Sequence, residues 1–130
     1  MVTVQTTRAE RREKMVLDKI VKMKIGKKQY NLSFPIRVIF ELEEEMNQGL
    51  MKVIARIQEA KIKDIYTLFK WAIVGGGHEL TEEEIQALFL EAVDEAGYEV
   101  LVTNILNAVV KSGIIGGQKK INAVLAAKKE

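Results

Sequence analysis

Residues 80–97, LTEEEIQALFLEAVDEAG, specify an amphipathic helix, and the rest of the chain must provide something for its apolar face to lie against. Thr81 is placed to cap the N-terminus, and Glu84, three positions on, closes a capping box. Glu82, Glu83 and Glu84 put negative charge at the positive end of the helix dipole. Ile85, Leu88, Phe89, Ala92, Val93 and Ala96 then recur at helical spacing, and Gly97 supplies a stop. One face is a core face and the other is solvated acid. No residue in the stretch is chemically armed.

Upstream, the pattern changes period. Ile20–Phe34 alternates around a Gly26-Lys27-Lys28 turn, which predicts a β-hairpin. Val21, Met23, Ile25, Tyr30, Leu32 and Phe34 face inward, and Lys22 and Lys24 lie on the opposite, basic face. A lone two-stranded hairpin is marginal in water, so it must rest on helices. Ser33 is a candidate cap for a first helix with Pro35 in its first turn, and Ile36, Ile39, Phe40 and Met46 are expected to face in. Asn47-Gln48-Gly49 breaks that helix. A second is expected over Leu50–Ala60, burying Leu50, Val53, Ile54 and Ile57. A third, about Ile62 to Val74, buries Ile62, Ile65, Leu68, Phe69 and Ala72, with Tyr66 and Trp71 on its flanks. Gly75-Gly76-Gly77 ends it and reads as a flexible connector. After Gly97, a helix is expected from Tyr98 to Ile115 and a final short, Lys-rich one over Gln118–Lys129. The fold class is mainly α (α+β): a small N-terminal β-hairpin packed on a bundle of five or six short helices.

At 130 residues the chain fits one domain. The expected division is a flexible basic arm at 1–14 and a hairpin-plus-helices domain at 15–115. Residues 116–130 then form a helical segment able to swing or to exchange between subunits. There is no cysteine, which removes disulfides and thiolate metal sites, and no apolar run of membrane-spanning length. The N-terminus lacks the continuous apolar stretch of a secretory signal. Net charge is only +2 but unevenly spread. Residues 1–28 carry nine basic and three acidic side chains, whereas residues 79–99 carry eight acidic and none basic. Such asymmetry suits docking against a partner or against copies of the same chain.

The candidate chemistry reads as structural. Gly75-Gly76-Gly77-His78 is followed by glutamates, not by the Lys and Ser or Thr of a phosphate loop. His78 is the sole histidine, too few for a zinc site, and reads as a surface loop residue. The clusters Glu41–Glu45 and Glu82–Glu84 fan outward along helices, unlike a desolvated acid/base pair. No enzyme activity, cofactor or metal is therefore expected. The lysines at 22, 24, 27 and 28 form a strip that could contact phosphates. The acidic segment opposes a polyanion, and no helix carries a base-reading set of Arg, Asn and Gln.

Several stretches in order resemble one known family: Phe34–Glu45 (FPIRVIFELEEE) after a polar strand pair, the helix around Val53–Ala60, Ile62-Lys63-Asp64-Ile65-Tyr66 opening a helix that ends in glycines, and His78–Ile85 (HELTEEEI). The pattern, over roughly residues 20–110, resembles the tail assembly chaperones of long-tailed phages and gene transfer agents, a group also labelled tail tube protein of the gene transfer agent type. The resemblance implies a non-enzymatic factor that works in the host cytoplasm and is absent from the mature virion. It implies binding to the tape measure protein and recruitment of the tail tube protein. It also implies a homo-oligomer and a longer, frameshifted form of the same protein, with Lys128-Lys129 near the slippage point. A nucleic-acid-binding or regulatory protein using the basic hairpin, and a structural tail component, are the alternatives.

Two sets of residues carry these expectations. An apolar partner surface is expected from Leu101, Ile105, Val109, Ile114, Ile115, Ile121, Val124 and Leu125. Electrostatic self-association is expected between Lys22, Lys24, Lys27 and Lys28 of one subunit and Glu82, Glu83 and Glu84 of the next.

Overall fold

The computed structural model describes residues 19–114. Strands β1 (Val21–Ile25) and β2 (Lys28–Leu32) form an antiparallel hairpin with Val21 opposite Leu32 and Ile25 opposite Lys28. Five α-helices follow: α1 (Ile36–Met46), α2 (Leu50–Ala55), α3 (Ile62–Gly75), α4 (Glu82–Ala96) and α5 (Tyr98–Lys111). A 3₁₀ turn over Ile57–Glu59 links α2 to α3, so the helix expected to reach Ala60 stops at Ala55. The arm at 1–14 and the segment 116–130, together with the helix expected over Gln118–Lys129, lie outside the described residues.

The hairpin places Val21, Met23, Ile25 and Leu32 against the helices and leaves Lys22 and Lys24 exposed, as strand alternation requires. Gly26 turns it at φ +66, and its N–H donates to Glu95 of α4 at 2.7 Å. Helix α3 is the centre: it packs against α1, β2, α4 and α5, and Ile65, Leu68, Phe69, Ala72 and Ile73 are buried in it. Across α3 and α4, Phe89 meets Tyr66 edge-on at 5.3 Å and Phe69 at 5.6 Å. The expected capping box is present, with Glu84 N–H donating to Thr81 Oγ1 at 3.1 Å and Thr81 N–H to the Glu84 carboxylate at 3.0 Å. Hydrogen bonding from Thr81 to the carboxylate, its backbone N–H first, holds the Glu84 pKa below its ordinary value. Gly97, at φ +93, separates α4 from α5 by one residue.

Four expectations need correction. Ile36 and Phe40 face outward, 53% and 63% exposed, while Val38, Ile39 and Leu42 bury α1. Ile62, at the first position of α3, is likewise 67% exposed, and the buried face of α3 begins at Ile65. No side chain caps α1; Ser33 is buried and its N–H donates instead to Ala72 O of α3 at 3.1 Å. The glycines after Val74 do more than connect. A Cβ on Gly75 would lie 2.8 Å from Pro35 Cδ and closer still to the Ser33 carbonyl oxygen. One on Gly76 would lie 2.7 Å from the Asn31 carbonyl carbon. Here the chain leaving β2 crosses directly over the end of α3, and only glycine leaves room.

Candidate functional site

The crossing builds the floor of a groove. Ser33 N–H binds Ala72 O, and two residues earlier Asn31 N–H donates to His78 Nε2 at 2.9 Å. His78 is thus half-buried beside Tyr30, ring centroids 5.1 Å apart, and is no free surface residue. Burial pushes its imidazole pKa below the ordinary value. With backbone groups paired beneath, Gly75–Gly77 form a base free of side chains. Phe34, Pro35, Ile36, Ile20 and Ile114 line the groove as well. The groove encloses about 410 Å³.

Its apolar surface continues along α1. Ile36 and Phe40 are one helical turn apart and share a face, flanked by exposed Arg37, Glu41 and Glu44. The other α1 carboxylates are engaged: Glu43 accepts from Leu50 N–H at 2.6 Å, and Glu45 pairs with Lys70 at 2.7 Å. Among the described residues, Glu41 and Glu44 have no ion-pair partner. Such a surface can hold an amphipathic helix by its apolar stripe.

Sequence reasoning missed Ile36 and Phe40 as surface, although a signal was present. At 100° per residue, the apolar positions of α1 run from Val38 through Leu42, Met46 and Ile39 to Ile36 and Phe40, an arc of about 200°. One contact face cannot cover such an arc. The expected partner residues fall differently. Leu101, Ile105 and Val109 are fully buried and complete the core between α5, α3 and the hairpin, because they occupy the one α5 face that those elements cover. Ile114 is exposed and lines the groove. Ile115, Ile121, Val124 and Leu125 lie outside the described residues.

Lys22, Lys24, Lys27 and Lys28 are all exposed on the hairpin. Glu82, Glu83 and Glu84 start α4, where Glu82 lies 3.7 Å from Lys70 and Glu84 is occupied by the cap. The acids that approach the hairpin turn in the same chain are Glu91 and Glu95, at the other end of α4. Within one subunit the two expected sets therefore do not meet. A second, shallower apolar patch joins Ile62 of α3 to Leu90 of α4, which is 68% exposed. Beneath it the Tyr66 hydroxyl has no hydrogen-bond partner, and burial, with the Glu82 charge behind it, pushes its pKa up to about 12. Among the described residues no three His, Asp or Glu side chains converge as a metal site would need, and no helix is long and apolar enough to cross a membrane.

A family model described as phage tail tube protein, GTA-gp10, matches residues 20–112, which takes in every element from β1 through α5. A search of curated proteins and one of solved structures each returned no match. The stretches that carried the resemblance, Phe34–Glu45 through His78–Ile85, all fall within the matched span. With the family model covering well over half of the chain, the protein belongs to the phage tail tube protein (GTA-gp10) family and is a phage-tail-related protein.

Proposed function

We propose that the protein is a non-enzymatic tail assembly chaperone of the host cytoplasm. It binds helical segments of the tape measure protein, helps to recruit tail tube subunits, and is left out of the finished particle. The observation that carries the reading is the uncovered Ile36–Phe40 face of α1 beside the glycine-floored groove. A long, amphipathic client that is insoluble alone needs such a surface, and a helix-in-groove contact requires no chemistry from its host. Self-association through the hairpin lysines and Glu82–Glu84 of a neighbour, with a longer frameshifted form among the subunits, would multiply weak contacts along the client.

The test is co-expression with the very long coiled-coil protein of the same tail gene cluster, scored by the soluble fraction. The wild-type chain should raise that fraction, and the double variant Ile36→Asp, Phe40→Asp should not. Both positions are exposed, so the variant should fold; its circular dichroism and melting curve verify this. Equal solubilisation by a folded double variant would end the reading. The family description favours a second reading, a structural component retained in the particle. Stoichiometric recovery of the chain from purified virions would establish it.

A further inference from the structure

We infer that the Ile62–Leu90 patch is a two-fold contact between two copies of this chain, the α3 half of each copy meeting the α4 half of the other. The patch is a shallow depression of about 400 Å³ lined by Ile62, Lys63, Tyr66, Gln86, Phe89 and Leu90. Ile62, on α3, and Leu90, on α4, are its exposed apolar members. The charges beside them lie where helix dipoles disfavour them. Lys61 and Lys63 are exposed at the N-terminal end of α3, where a helix favours acid. Asp94, one turn beyond Leu90, is exposed in the last turn of α4, which holds no basic residue. Neighbouring acids have local roles: Asp64 accepts the Lys61 N–H at 3.2 Å, Glu95 accepts from Gly26, and Glu91 lies against the same hairpin turn. Lys61, Lys63 and Asp94 form no ion pair among the described residues. Charges set against a dipole with no partner in their own subunit break a local rule, as contact sites do. The patch therefore has a basic, apolar half on α3 and an acidic, apolar half on α4. A surface that carries both halves of a match is complementary to itself, which a two-fold contact requires. A partner of one charge sign would meet repulsion over half of it. A second copy sets Ile62 on Leu90 and brings Lys61 and Lys63 to Asp94, twice per dimer. With two exposed apolar side chains per copy, the contact is small against the about 800 Å² per partner of a standard interface, so the dimer is a weak one. The contact shares no residue with the α1 face or the hairpin contact, and the inference rests on the patch and not on the chaperone reading.

The test is sedimentation of the full-length chain at low salt, from micromolar to millimolar concentration, with charge-reversed variants. The wild type should show a dimer fraction that rises with concentration. Lys61→Glu with Lys63→Glu in one chain, and Asp94→Lys in another, should each weaken self-association about tenfold, because every rim pair turns from attraction to repulsion. An equimolar mixture of the two variants should restore association, since each reversed charge then faces its opposite on the other copy. Both reversals suit their helix dipoles, so the variants should fold at least as well as the wild type, and melting curves verify this. Leu90→Gln, at an exposed position, should abolish the dimer and leave the fold intact. The hairpin contact is the same in every variant, so loss on reversal and recovery on mixing report this patch alone. A wild-type chain that stays monomeric throughout, reversed variants that associate as the wild type does, or a mixture that fails to recover would each overturn the inference. No client takes part, so failure here is distinct from failure of the co-expression test.

Discussion

Replacing Gly75 or Gly76 by alanine separates two views of the glycine run by the sign of the effect. Gly76 has φ −75, which alanine adopts without strain, and Gly75 is the last residue of α3. If the run were only a connector, alanine would gain helix propensity and restrict the unfolded chain, raising stability by about 0.5–1 kcal/mol. The packing predicts the reverse. A methyl at Gly75 falls 2.8 Å from Pro35 Cδ and 2.9 Å from the Ser33 carbonyl carbon, and the obstacle is largely backbone, which cannot rotate away. Relief requires α3 and the β2–α1 link to part. That stretches the 3.1 Å Ser33–Ala72 hydrogen bond and disturbs Phe34, which is 2% exposed. Overpacking of this kind costs about 1–3 kcal/mol and a lost hydrogen bond about 1 kcal/mol more. After the propensity gain, the net loss is about 1–3 kcal/mol, or a fall in Tm of about 5–20 °C for a domain of this size. Gly49→Ala is the control, since a Cβ there meets only Glu43 Oε2 at 3.6 Å, and it should shift stability by less than about 1 kcal/mol. Thermal unfolding of the three variants by circular dichroism decides the matter. A Tm at or above wild type for Gly75→Ala would refute the close-approach account.

Thr81→Ala removes the acceptor for Glu84 N–H and should cost about 1 kcal/mol, read as a lower urea midpoint with an unchanged slope. His78 accepts the Asn31 N–H only when Nε2 is unprotonated, and its folded pKa lies below the unfolded 6.5. The unfolded chain therefore protonates first, and this contribution is complete above pH 6.5 and is lost as pH falls through 6.5 toward the folded value. Melting curves across this window should show a decline that His78→Gln flattens. If subunits associate through the hairpin lysines and Glu82–Glu84, sedimentation should show smaller species as the screening length falls from about 30 Å at 0.01 M salt to about 3 Å at 1 M; an oligomer indifferent to salt would remove that contact.

The sequence made local rules legible and left the meetings between distant segments hidden. The capping box at Thr81 and the alternation of Val21, Met23 and Ile25 are set by residues within four positions of one another, so they could be read directly. Periodicity also identified which side chains are apolar on α1 and α5. It could not say which part of an arc a neighbour covers. On α5 the core takes Leu101, Ile105 and Val109, so residues expected to meet a partner are spent inside the fold. On α1 the core takes Val38, Ile39 and Leu42, and Ile36 and Phe40 are left outside. The reason is geometric. The chain enters α1 over Gly75 and Gly76, and that crossing fixes how α1 is rotated about its axis. Any side chain at those glycines would move the crossing and change the face that α1 presents. The groove therefore depends on residues that have no side chain to show in it. The same crossing brings Asn31 to His78, 47 positions apart, so the lone histidine serves as a tie between β2 and the α3–α4 link. An apolar arc wider than one contact is thus the sequence-level sign of an apolar surface left open beside the core, and on α1 that surface is Ile36 and Phe40.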